Sequence, residues 1–112
     1  MRGAPLHAIC LQSGSILCTY AHRLKPAQVR ATISKDQGTT WDLKGTRILR
    51  DGLPPQYTSL GGAGQFIGGP GAVQLDDGTV FVFYSIPDVN DIRSGKVPKG
   101  HSFIAGSLFT ED

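Results

Sequence analysis

A chain of 112 residues with a formal net charge of +2 is long enough for one domain with a modest core. Its Lys, Arg, Asp and Glu are interspersed rather than gathered into a basic stripe, which excludes nucleic acid as a partner, and no segment approaches the roughly 18 apolar residues of a membrane span. Fifteen Gly and seven Pro beside a single Met, with no sustained helical period, predict an all-β chain.

The segment Met1-Arg2-Gly3-Ala4-Pro5 carries a charge but no apolar stretch behind it, so no signal peptide is expected; the compartment stays open. Leu6 to Leu11 and Ser15 to Tyr20 are apolar-rich runs separated by Gln12-Ser13-Gly14, the pattern of an antiparallel hairpin with Gly in its turn. Cys10 and Cys18 fall on its two arms and are expected as free, half-buried thiols; two Cys without a His cluster are too few for a metal site, and no cofactor is indicated. Val29 to Ile33 is a third strand and Trp41 to Leu49 a fourth.

Between them lies Ser34-Lys35-Asp36-Gln37-Gly38-Thr39-Thr40-Trp41. A chain reversal uses an Asp to accept from nearby backbone N–H groups and a Gly to take positive φ, roles that Asp36 and Gly38 fill. Ser34 and Thr40 add hydroxyls that can close the loop, and Trp41 is large enough to cap the turn.

The pattern then begins again. Ala72 to Leu75, a turn at Asp76-Asp77-Gly78 and the run Val80-Phe81-Val82-Phe83-Tyr84 form a second hairpin, whose second strand reads as buried on both faces. Ser102 to Phe109 is its third strand. Leu11 to Tyr20 superimposes on Leu75 to Tyr84 at a constant offset of 64, matching Leu, Gly, the hydroxyl residue and Tyr. Ile33 to Asp36 lies over Phe109 to Asp112, so the second unit breaks off within its own copy of the turn. The expected organisation is a first unit over 1–52, a connection over 53–70 and a second unit over 71–112.

The string S-x-D-x-G-x-T-W at 34–41 resembles the Asp box of sialidase-like β-propellers. The runs at 2–8, 19–34, 48–52, 68–80 and 104–109 are similar to bacterial members of that family. The resemblance implies two four-stranded antiparallel blades of a six-bladed propeller, the second truncated. Since propellers close with about four to eight blades, two cannot close a ring. A fragment of a longer gene, a truncated reading frame, and self-association that completes the ring are the readings left open.

The family implies exo-hydrolysis of terminal sialic or related acidic sugars. Three arginines clamp the sugar carboxylate, a Tyr assisted by Glu is the nucleophile and an Asp is the acid/base. In a blade, the 12–14, 36–38 and 76–78 turns share one face of the ring, which leaves the opposite face as the candidate site. That face takes Arg2, His7, Tyr20, His22, Arg23 and Arg30 from the first unit, and from the second the 61–70 connection and the 86–101 loop with Asp88, Asp91 and Arg93. Arg23, Arg30, Arg2, His22 and His7 are the candidate sugar ligands, and Tyr84 and Asp88 the weaker catalytic candidates. Each has a plainer alternative: surface salt bridges for the arginines, a core aromatic for Tyr84, turn-making for Asp88 and Asp91.

Two departures weigh against activity. Where the family pattern is D-L-G-Y-P, this chain has Phe66-Ile67-Gly68-Gly69-Pro70, and its sole Glu is Glu111, inside the interrupted turn. The segment is therefore expected to be inactive alone, its catalytic set completed only by further blades or partner chains, with a sialoside or similar acidic sugar as its expected partner. The alternative is a non-catalytic carbohydrate-binding or structural module.

Overall fold

The computed structural model describes residues 6–22, 26–53, 70–87 and 102–111. Seven strands run in chain order: β1 (Leu6–Cys10), β2 (Ile16–His22), β3 (Ala27–Ser34), β4 (Arg47–Leu53), β5 (Gly71–Gln74), β6 (Val80–Pro87) and β7 (Ser102–Phe109). They form two antiparallel sheets, one ordered β1-β2-β3-β4 and the other β5-β6-β7. The all-β expectation holds, and no described residue is helical.

Each hairpin register follows from its turn. Gly14 and Gly78 sit at φ 91° and 92°, a region closed to most L-residues. In each turn that Gly donates its N–H to the leucine three residues earlier, Leu11 and Leu75 respectively, both at 2.9 Å. The same turn chemistry thus yields the same pairing, Cys10 with Ile16 and Gln74 with Val80.

The sheets pack face to face. Leu17, Ala21, Val29 and Ala31 of the first join Val80, Val82, Tyr84 and Ile86 of the second in one buried cluster, flanked by Ile9, Ile33, Leu49, Ala72, Ala105 and Phe109. Polar contacts stitch the same junction. Thr19 Oγ1 donates to the Pro70 carbonyl at 3.1 Å, and Ser107 Oγ donates to the Leu49 carbonyl at 3.2 Å.

Registers show which faces meet. Ile16 pairs with Ser34 and Leu17 with Ile33 in the first sheet; Val80 pairs with Phe109 and Phe81 with Leu108 in the second. The face of the first sheet that meets the second carries Ile9, Leu17 and Ile33. Its equivalents in the repeat are Val73, Phe81 and Leu108, which lie on the second sheet's outward face. The sheets therefore stack front to back with respect to the repeat, not front to front.

Four expectations are corrected. β4 starts at Arg47 rather than Trp41, because Asp42 Oδ1 accepts the Gly45 N–H at 2.9 Å and the Leu43 carbonyl accepts from Thr46, turning the chain before the strand begins. β6 is buried on one face only, with Phe83 43% exposed; β2 is the doubly buried strand, from Leu17 through Ala21. The third-strand equivalence moves by one residue, since Phe109 stands opposite Val80 as Ser34 stands opposite Ile16. Cys10 and Cys18 are free, but Cys10 is exposed and Cys18 buried rather than both half-buried.

Candidate functional site

The turn after β3 is closed from within. Ser34 Oγ donates to Asp36 Oδ1 at 2.8 Å and accepts the Gly38 N–H at 2.8 Å. Asp36 Oδ1 also accepts the Thr40 N–H at 2.7 Å, and Oδ2 accepts the Thr40 hydroxyl. Those bonds hold the Asp36 carboxyl below its ordinary range, the Thr40 hydroxyl contributing most, then the Thr40 N–H and the Ser34 hydroxyl. Gln37 and Gly38 take φ of 59° and 89°, and the half-buried Trp41 lies over Gly38. The side chains of Ser34, Asp36 and Thr40 are occupied in holding the loop and Trp41 packs over it, so this constellation is structural. Beside it Ile33, Lys35, Thr40, Trp41 and Asp42 line an open groove of about 270 Å³.

At this same end of the molecule the sheets are tied together. The Gln12 N–H donates to Gln74 Oε1 at 2.7 Å, and Gln12 Nε2 to the Leu75 carbonyl at 3.1 Å. Glu111 accepts from Ser13 Oγ at 2.6 Å and Ser15 Oγ at 2.8 Å, while Arg47 donates to the Thr110 and Glu111 carbonyls and lies over the Phe109 ring. The Glu111 carboxyl is lowered, by Ser13 first and Ser15 next. No local pattern in the sequence signals this clasp, whose serine and glutamate partners lie 96 to 98 positions apart. The expected sharing of one end by the 12–14 and 76–78 turns is visible in it.

His7, Tyr20, His22 and Arg30 lie toward the opposite end of the first sheet, where Leu6 pairs with Tyr20, Tyr20 with Arg30 and His22 with Gln28. Arg30 Nε donates to Gln28 Oε1 at 2.7 Å, and the register with β4 shifts between Val29 and Arg30, a bulge of the kind that re-aims side chains. Asp51 completes the group. Its carboxyl is lowered by the Gln28 amide first and the Gly52 N–H next, with a smaller Coulombic contribution from Arg30. Gln28 and Asp51 are not among the expected site residues: Gln28 lies two residues from Arg30 on the same strand, whereas Asp51 reaches the group only through the β3–β4 pairing.

The remaining candidates separate. His22 Nδ1 is hydrogen-bonded with the Pro26 carbonyl at 2.7 Å, and His7 is exposed on the other face of the sheet from Tyr20 and Arg30. Tyr20 is 2% exposed, its hydroxyl 3.4 Å from Thr32 Oγ1. Tyr84 is equally buried at the sheet junction, with its hydroxyl 2.8 Å from Ser107 Oγ. That hydroxyl lies at Ser107, four residues before Glu111, whose carboxylate is turned to Ser13 and Ser15 at the turn end. Each is engaged with other partners, and the two do not form a nucleophile and assisting-carboxylate pair. Arg2, Arg23, Asp88, Asp91, Arg93 and Phe66 to Gly69 lie outside the described residues.

Arg30 with Gln28, Asp51 and His22 can hydrogen-bond a polyol, but a carboxylate brought to this guanidinium meets the Asp51 charge. Among the described residues no group of three or more His, Cys, Asp or Glu could hold a metal ion. No family model, curated protein or solved structure matches the chain.

Proposed function

We propose that this chain is a two-blade segment of a sialidase-like β-propeller, whose complete ring acts on terminal acidic sugars and whose isolated segment does not turn them over. The observation that carries the reading is the front-to-back stacking of two repeated antiparallel sheets with their Gly-centred turns at one end. Units joined through unlike faces either continue or close into a ring, and a ring of such sheets is a propeller. The hydrogen-bonded turn at 34–41 adds support, because it is the element on which the resemblance rests. Loss of activity in the segment follows from chemistry: Tyr84 is walled into the core and Glu111 is bound in the clasp at the turn end.

A fluorogenic sialoside tests the reading. The purified chain is expected to release fluorophore at the rate of the buffer blank; turnover that survives repurification would overturn it.

A second reading, a structural module without sugar affinity, is favoured by the engagement of Arg30 with Gln28 and Asp51. It predicts that Arg30→Ala lowers stability and leaves the saturation-transfer signal of sialic acid unchanged. The first reading predicts loss of that signal with the fold retained.

A further inference from the structure

The outward face of the second sheet is largely apolar, with Ser85 as a polar member opposite Ile104. Val73 is 46% exposed, Leu75 44%, Phe83 43%, Ile104 79% and Leu108 65%, and Phe81 lies between them with its ring centroid 5.9 Å from that of Phe83. Strand pairing makes the patch continuous, because Val73 faces Phe81 and Phe81 faces Leu108 across the ladder. No described residue on this face is charged. The two rings lie across glycines: a Cβ on Gly71 would come within 2.5 Å of the Phe83 ring, and one on Gly106 within 2.5 Å of the Phe81 ring. Glycine at those positions lets the rings lie down on the sheet, giving a flat face rather than a row of projecting side chains.

The repeat shows what such a face does. Ile9, Leu11, Leu17 and Ile33, the first-sheet counterparts of Val73, Leu75, Phe81 and Leu108, are covered by the second sheet and form part of the core. The same pattern is thus closed by a packed sheet in one unit and open to solvent in the other. Side-chain exposure amounts to on the order of 500 Å² per chain, which two copies would bring to about 1,000 Å² in total, the lower bound for a specific interface.

The geometry points to a second copy of this chain as the occupant, joined like face to like face about a two-fold axis. Head-to-tail stacking of copies would need the outward face of the first sheet, whose centre is closed, with Cys18, Tyr20, Thr32 and Ser34 at most 5% exposed, and whose exposed members Leu6, Ala8, Cys10 and Ile48 lie only on the edge strands β1 and β4. An uncharged apolar face is self-complementary, the requirement for an isologous pair, and two twisted sheets can pack aligned with a dry layer between them.

The test is light scattering behind size exclusion on the whole chain, in reductant so that Cys10 cannot cross-link, from about 1 to 500 μM, with dissociation constants in the micromolar range expected for so small an interface. The expected result is a mass that rises with concentration and levels at twice that of the chain. Ile104→Lys and Leu108→Lys, at side chains already in solvent, are expected to keep the far-UV circular dichroism spectrum and weaken pairing at least ~10-fold. Leu43→Lys, at a loop position 52% exposed, is expected to leave it unchanged. A monomer at every concentration, growth beyond the dimer, or a dimer indifferent to both Lys substitutions would overturn the proposal; the first would assign the face to another partner.

Discussion

Leu17→Ala probes the junction of the two sheets most economically. Leu17 is fully buried near the start of β2, between Ile9 and Ile33 across the ladder, and belongs to the cluster shared with Val80, Val82, Tyr84 and Ile86. Removing the side chain forfeits its transfer free energy and leaves a cavity, a combined cost of about 3 kcal/mol. Ile104→Ala is the internal control, since Ile104 is 79% exposed and its loss should cost no more than about 0.5 kcal/mol. Urea unfolding, followed by the fluorescence of the single Trp and by circular dichroism, converts these figures into midpoints. With a slope of about 1.5 kcal/mol per molar urea, Leu17→Ala should lower the midpoint by about 2 M and Ile104→Ala by about 0.3 M. Sub-micromolar chain keeps self-association out of the comparison. Equal shifts for the two variants would refute the argument, because the sheets would then not share a core on the Leu17 face.

Three further outcomes are expected. Gly38→Ala meets nothing closer than the Trp41 ring at 3.9 Å, so its cost, about 1–2 kcal/mol in the same urea assay, measures only the φ of 89°; a change below about 0.3 kcal/mol would mean that the turn is not in that conformation. Asp36, Asp51, Asp77 and Glu111 are all held below their ordinary carboxylate range, by Thr40, Gln28, Thr79 and Ser13 respectively. Groups depressed in the folded state contribute stability above their unfolded pKa and lose it as pH falls through the folded one. The Tm should therefore decline from about pH 4 downward, and a flat or rising Tm between about pH 4 and 2.5 would contradict the hydrogen bonds assigned to them. Burial pushes the Cys18 thiol up, so a disulfide reagent at about pH 8 should titrate Cys10 promptly and Cys18 only after denaturant is added; rapid reaction of both thiols would place Cys18 in solvent.

Residues that act on their neighbours were the legible ones. Gly14 and Gly78 announce their turns, and Ser34, Asp36, Gly38 and Thr40 bond within a span of seven residues, so the loop they build is written in one short string. What depends on distant packing was not legible. The run Val80 to Tyr84 reads as doubly buried because five apolar residues carry no alternation; only the position of the first sheet decides that Val82 is inside and Phe83 outside. The reverse holds for β2, where Thr19 looks like a surface residue and is fully buried because it reaches the Pro70 carbonyl. The candidate site suffered in the same way. Arg30 was visible as a cation near a strand end, but its partner Asp51 lies 21 positions away and reaches it only through the bulged β3–β4 ladder. The clasp of Ser13, Ser15 and Glu111 joins opposite ends of the sequence and has no local signal at all.

The central claim is that two repeated sheets stack through unlike faces, and methyl nuclear Overhauser contacts test it most directly. Cross-peaks from the methyl groups of Leu17 and Val29 to those of Val82 and Ile86 are predicted, since all four residues belong to the one buried cluster. Cross-peaks from Leu17 or Val29 to Ile104 and Leu108, in a sample dilute enough to be monomeric, would mean that like faces meet within the chain and would contradict the account.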